Sequence, residues 1–171
     1  MKTTHTLLLI FLLSGAVLGQ TKDYSSDVKS PESIVAALYE VISGEKGQAR
    51  DWDRFKNLFT ADAKLIPTFT NKERQVAYRA ITPAEYETSF TKSIPVRGFF
   101  EREISNITEA YGNIVHVFST YETTEEKNGK VTMRGINSIQ LLKTNDRYYV
   151  VNIFWSSETP QTPLPDKYVK K

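Results

Sequence analysis

From residue 30 onward the chain reads first as helices and then as strands. Ser30-Pro31-Glu32 is a helix start: a serine cap, proline at the first helical position, and an acid at the positive end of the dipole. Ile34, Leu38, Val41 and Ile42, flanked by Val35 and Tyr39, recur at helical spacing until Gly44 and Gly47 stop them. Asp51 caps a shorter second helix, with Trp52, Phe55, Leu58 and Phe59 on one face. Residues 62–67 form a short strand that Pro67 confines to an edge or an end, and residues 68–81 are polar and loop-like. Thr82-Pro83-Ala84-Glu85 is a capping box that opens a third helix carrying Tyr86 and Phe90. That helix ends near Ser93, because Pro95 disfavours helical geometry at Ile94.

Beyond residue 96 the period changes. Strands are expected over 98–110, 113–126, 131–143 and 147–157, with turns at Tyr111-Gly112, Asn128-Gly129 and Asn145-Asp146. Helices first and then long antiparallel strands predict an α+β domain over residues 30–158. Three N-terminal helices pack on one face of a strongly curved antiparallel sheet that forms a cone. A flexible lead-in precedes it at 20–29. A proline-rich tail, 159–171, follows it, extended on the surface or on a neighbour.

The first 19 residues read as a secretory signal. Lys2 starts it, residues 7–13 are a compact apolar run, and Val17 and Gly19 are small enough for cleavage before Gln20. The apolar stretch falls short of the roughly 20 residues a bilayer span needs, so a cleaved leader is favoured over an anchor. The expected product is exported, periplasmic or extracellular, with no membrane attachment after cleavage.

Composition removes several chemistries. With 22 Lys and Arg against 20 Asp and Glu the chain has no field to steer polyanions, and nucleic-acid binding is not expected. It has no cysteine and only two histidines, His5 and His116, the first of them in the leader. Thiolate catalysis, disulfides and multi-histidine metal centres are thereby excluded, and neither metal nor cofactor is expected.

Residues 53–63, Asp53-Arg54-Phe55-Lys56-Asn57-Leu58-Phe59-Thr60-Ala61-Asp62-Ala63, resemble the helix-to-strand signature of nuclear transport factor 2-like proteins. These are also called the SnoaL-like or cystatin-like α+β superfamily. Residues 134–142 and 147–155 look like its closing hairpin, so the resemblance spans about 31–158. It implies the cone fold but little about activity, since that fold carries isomerases, cyclases, dehydratases and binding proteins alike. Ketosteroid-isomerase-like members carry a general-base aspartate where this chain has Ile66-Pro67, which puts that mechanism in doubt here.

Hairpin geometry assigns the sheet faces. With Asn128-Gly129 central in their turn, His116 faces Leu141, Phe118 faces Ile139 and Thr120 faces Asn137. With Asn145-Asp146 central in the next, Ile139 faces Asn152 and Asn137 faces Phe154. One face then gathers His116, Thr120, Asn137 and Asn152 among apolar walls, the composition of a small-molecule pocket. These four, with Trp52 and Phe154 as walls, are the expected ligand-binding residues. A slip of one residue would instead select Ser119, Tyr121, Ser138, Gln140 and Trp155. Neither face is polar enough to stand in water. Helices cover one, and a second copy of the chain is the economical cover for the other, giving a homodimer.

His116 and Glu122 are six residues apart in one strand, about 20 Å at ~3.3 Å per residue, and cannot form a catalytic pair. The leading expectation is an exported domain binding a small, mostly apolar molecule. The alternatives are a cofactor-independent lyase or isomerase using His116 as its acid–base group, and an interaction module whose cone is filled by its own aromatic side chains.

Overall fold

The computed structural model describes residues 22–169; the expected leader, 1–19, lies outside them. Three α-helices and six strands follow in the order α1 (Pro31–Ile42), α2 (Trp52–Asn57), β1 (Phe59–Thr70), β2 (Val76–Tyr78), α3 (Pro83–Thr91), β3 (Phe100–Tyr111), β4 (Ile114–Thr124), β5 (Val131–Lys143) and β6 (Tyr148–Ser157). The strands form one sheet in the order β2-β1-β6-β5-β4-β3. All neighbours are antiparallel except β1 and β6, which run parallel, so the expected all-antiparallel sheet is corrected at that seam.

The helix starts are as their caps dictate. Ser30 and Ser33 exchange hydrogen bonds across the first turn of α1, Asp51 accepts from the Arg54 N–H, and Thr82 and Glu85 close a capping box on α3. Ile34, Leu38 and Val41 of α1 meet Phe55 and Leu58 of the α2 region over Val117, Ile139 and Ile153 of the sheet. Each fully buried side chain of this size contributes about 1.5–3 kcal/mol.

Three local readings are corrected. Pro67 does not end its strand: β1 continues to Thr70, and Pro67 pairs with Trp155. The Pro67 carbonyl accepts from the Arg79 N–H, so its missing N–H lies on the side of the short edge strand and costs β6 nothing. Residues 68–81 are not simply loop, because Thr68–Thr70 pair with β2 as a small hairpin. The expected lead-in contains a short 3-10 helix, Ser25–Val28, docked by Val28 burial and by Asp27 on Arg54 at 2.7 Å. One apolar residue sets no period, which is why the pattern missed it.

The hairpin registers are also corrected. In the β4–β5 connection the Gly129 N–H donates to the Glu126 carbonyl, and Asn128 takes the left-handed conformation (φ 62°). The central pair is therefore Lys127-Asn128, one residue earlier than expected, and a bulge at Thr132 follows it. His116 consequently faces Gln140, Phe118 faces Ser138 and Thr120 faces Ile136. The β5–β6 turn has the expected register, Lys143 facing Tyr148, until a bulge at Val151 shifts it. Asn152 then faces Gln140, and Asn137 faces Trp155.

Candidate functional site

These shifts divide the six expected ligand-binding residues between two faces. Asn137 lies on the helix-covered face with Ser119 and Trp155, its partners across the strands. Trp52 is on the same side, edge-on to Phe55 and Phe90, which line the cavity beneath the helices. His116, Thr120, Asn152 and Phe154 lie on the opposite face. There the His116 Nε2 pairs with the Ser138 hydroxyl at 2.9 Å, and Phe154 is 46% exposed. Thr120 is fully buried and its hydroxyl has no partner among the described residues. Of the residues selected by a one-residue slip, Ser119, Tyr121 and Trp155 face the helices.

Part of that opposite face is covered by the chain's own tail. Glu158 binds Arg134 at 2.9 Å and accepts the Leu164 N–H at 3.0 Å, while the Tyr168 ring packs against Phe118 at 5.1 Å.

Between the helices and the sheet lies a cavity of about 200 Å³, walled by Leu38, Phe55, Leu65, Phe90, Phe99, Ile153 and Trp155. The polar groups reaching it are Glu101, Tyr86, Tyr121 and Asn137. Tyr121 rests on Gly135, its partner across the strands, and its hydroxyl pairs with Ser157 at 3.2 Å. A Cβ at Gly135 would lie 2.6 Å from that hydroxyl and 2.4 Å from the Ser156 carbonyl, so only glycine fits.

A hydrogen-bonded chain runs from this cavity to β3. Ser119 donates its single hydroxyl proton to Glu103, so the Tyr39 hydroxyl, 2.7 Å away, donates to Ser119. The Asn137 amide then donates to Tyr39 at 3.0 Å and, more weakly, to Glu101 Oε1 at 3.5 Å. The Asn137 amide is the one donor of this chain that reaches Glu101, and Glu101 Oε2 has no hydrogen-bond partner among the described residues. Burial pushes the Glu101 carboxyl up to about 8, the Asn137 contact opposing the shift only partly. Burial, and after it the Glu101 charge, pushes the Tyr86 hydroxyl up as well, and that hydroxyl makes no hydrogen bond to the described residues. A carboxyl that is neutral in mildly acidic to neutral solution and a free phenol thus share one apolar cavity. Such a pair can donate to a ligand oxygen, and the carboxyl can exchange a proton near physiological pH.

Glu101 was not among the expected site residues. An unbroken β3–β4 hairpin, counted from Tyr111 opposite Ile114, would pair Glu103 with Glu122 on the face away from the helices. A bulge at Ile104 pairs Glu103 with Tyr121 instead and turns both Glu101 and Glu103 inward. Nothing in the run Phe100-Glu101-Arg102-Glu103-Ile104 marks that bulge. On β1, Leu65 is the residue that reaches the cavity, so Ile66-Pro67 brings no carboxylate there.

The fold is cystatin-like, that of nuclear transport factor 2-like proteins, as several solved structures show. A protein of unknown function with a cystatin-like fold from Nostoc punctiforme superposes with a TM-score of 0.56 at 12% identity, over 78% of this chain and 92% of that one. A protein of unknown function from Mycobacterium tuberculosis gives 0.58 at 12% identity, over 77% and 72%. A "putative ketosteroid isomerase" from Parabacteroides distasonis gives 0.52 at 13% identity, over 80% and 98%. No protein-family model and no curated protein sequence matches the chain. Identities this low establish the shared fold and nothing of activity.

Proposed function

We propose that the chain binds a compact, mostly apolar molecule in the cavity between helices and sheet. Its polar end meets Glu101, Tyr86 and Asn137. The observation that carries this reading is the half-buried Glu101 carboxyl at an otherwise largely apolar cavity, held toward its neutral, donating form by burial and contacted only by the Asn137 amide. At about 200 Å³ the cavity lies below the range of drug-sized ligands, which argues for a small ring or short chain bearing one carbonyl or hydroxyl. Cyclohexanone is a suitable probe. Trp155, in the cavity wall, should change its fluorescence saturably on titration at pH 6.5. Binding should weaken at pH 9.5, where the ionised Glu101 can no longer donate. An unsaturable response, or one equal at both pH values, would count against the site.

A second reading is favoured by the acid strength of Glu101. A carboxyl titrating near 8 can act as the acid–base group of a cofactor-independent lyase or isomerase, the role assigned from the sequence to His116. His116 is tied to Ser138 on the other face, so in this reading Glu101 takes its place. Loss of the α-proton signals of cyclohexanone in D2O, abolished by Glu101→Gln, supports it; exchange no faster than buffer rejects it.

The remaining parts of the proposal are export after leader cleavage and a homodimer through the face bearing Phe154. Exposed apolar side chains run across that face from Val76 and Tyr78 through Phe154 to Leu142, Ile114 and Ile107, an extent that favours a second copy as its cover.

A further inference from the structure

On the outer face of the sheet the chain's tail stands over a groove that it does not fill. After Glu158 a tight turn, in which Thr159 and Thr162 exchange backbone hydrogen bonds, folds the chain back over the strands. Glu158 binds Arg134 and accepts the Leu164 N–H at one end of this strap, and Tyr168 packs on Phe118 at the other. Between the two anchors, Pro163, Leu164 and Pro165 of the tail and Phe118, Ile136 and Phe154 of the sheet bound a groove of about 310 Å³. Pro163 and Pro165 are exposed and Leu164 is only half-buried, so this apolar lining stays in contact with water. Covering it with an apolar group is favourable.

Phe154 separates this groove from a projecting side chain. Across the sheet the strands run β2, β1, β6, β5, β4. Tyr78 on β2 is directly opposite Thr68 on β1, and Thr68 lines the groove together with Phe154, so all three share the outer face. Tyr78 is 70% exposed. It stands two strands from β6, about 10 Å at ~4.8 Å per strand, and the groove spans the first and second strands on the other side, β5 and β4. Both features lie at one level along the strands. Thr68 follows Pro67, the partner of Trp155, and Ile136 in the groove is the partner of Ser156. Knob and groove are thus placed at matching distances on either side of Phe154.

We propose, resting on the homodimer of the proposed function, that Tyr78 of each copy seats in the tail groove of the other. A two-fold axis lying along β6 and passing at Phe154 brings the two outer faces together. It keeps the level along the strands and exchanges the two sides, so that β2 of the second copy lies over β5 and β4 of the first. The ring of that Tyr78 then meets Leu164, Phe118 and Ile136. A tyrosine suits such a seat, having an apolar body and one polar end, and Ser156 in the groove offers its hydroxyl a partner. Two identical contacts form at once, with Phe154 against its own counterpart between them. The tail is therefore part of the interface, and the groove is complete only when the second copy is present.

Sedimentation equilibrium of the full chain tests the contact through a double-mutant cycle. Tyr78→Ala and Leu164→Ala should each weaken the dimer about tenfold or more. Tyr78 is exposed in the single chain, so its replacement leaves the fold intact. Because both residues belong to one contact, the double variant should lose little beyond either single variant. Phe154→Asp should abolish the dimer whichever side chain fills the groove, so it reports on the homodimer and not on the seat of Tyr78. A wild-type dimer that Tyr78→Ala leaves unchanged would overturn the proposal while keeping the second copy on the outer face. Losses that simply add in the double variant would do the same. A wild-type monomer would overturn both the seat and the homodimer.

Discussion

Asn137 on β5 donates its side-chain amide to the Tyr39 hydroxyl on α1 at 3.0 Å, a bond across 98 residues of chain that fastens the first helix to the middle of the sheet. Tyr39 passes its own proton to Ser119, and Ser119 passes its proton to Glu103. Replacing Tyr39 by Phe removes the centre of this chain while keeping the ring that fills the core. The cost should be about 1–3 kcal/mol, because Asn137 and Ser119 both lose a buried partner. Urea unfolding measures it. With Ser119→Ala, a double-mutant cycle should return a coupling of about 1 kcal/mol; additive losses would mean the bonds are not coupled.

Glu101 makes stability depend on pH. Its folded-state acid constant, about 8, is raised from the 4.5 of an unfolded chain. The unfolded state therefore releases this proton first, and the Glu101 contribution to stability falls as pH rises from about 4.5 to about 8, then levels off. Unfolding midpoints at pH 5, 7 and 9 should decline in that order, apart from the other titrating groups. Glu101→Gln isolates the effect: the variant should gain on the wild type as pH rises through this window. A constant difference between the two proteins across it would contradict the assignment.

Gly135 should tolerate no side chain. A methyl group there meets the Ser156 carbonyl, which is backbone and cannot move aside. Gly135→Ala should cost about 1–3 kcal/mol through overpacking. Tyr121→Phe in the same background should recover little of that loss, because the ring Cζ, 2.8 Å from the added Cβ, stays in place. Thermal unfolding of the single and double variants decides it.

What was legible in the sequence follows from how local each signal is. Caps at Ser30, Asp51 and Thr82 sit within three residues of the groups they satisfy, so all three helix starts could be read directly. The four long strands followed from their alternation and turns. Faces depend on register, and register accumulates every bulge between a turn and the residue concerned. A turn placed one residue early, at Lys127-Asn128, and a bulge at Thr132 sufficed to move His116 and Thr120 away from Asn137. The bulge at Ile104 hid Glu101 in the same way, since a glutamate in a strand looks solvent-facing until its partner is known. Pro67 was read as confining its strand to an edge or an end because the pattern cannot say which side of the strand lacks a hydrogen-bonding neighbour.

If a second copy covers the outer face, Phe154 is near its centre. Sedimentation velocity at about 10 µM should show a dimer, and Phe154→Asp should return a monomer, a buried unpaired charge being too costly for the interface to absorb. A wild-type monomer at that concentration would remove the second copy from the proposal.

The central claim is that the cavity between helices and sheet holds a small molecule through Glu101. Native mass spectrometry of the full chain, expressed with its own leader and purified gently, tests it most directly. The account predicts an added mass of about one to two hundred daltons per chain, in keeping with so small a cavity. The mass should be lost in Glu101→Gln although that variant stays folded. A bare wild-type chain, or an added mass that persists in Glu101→Gln, would contradict it.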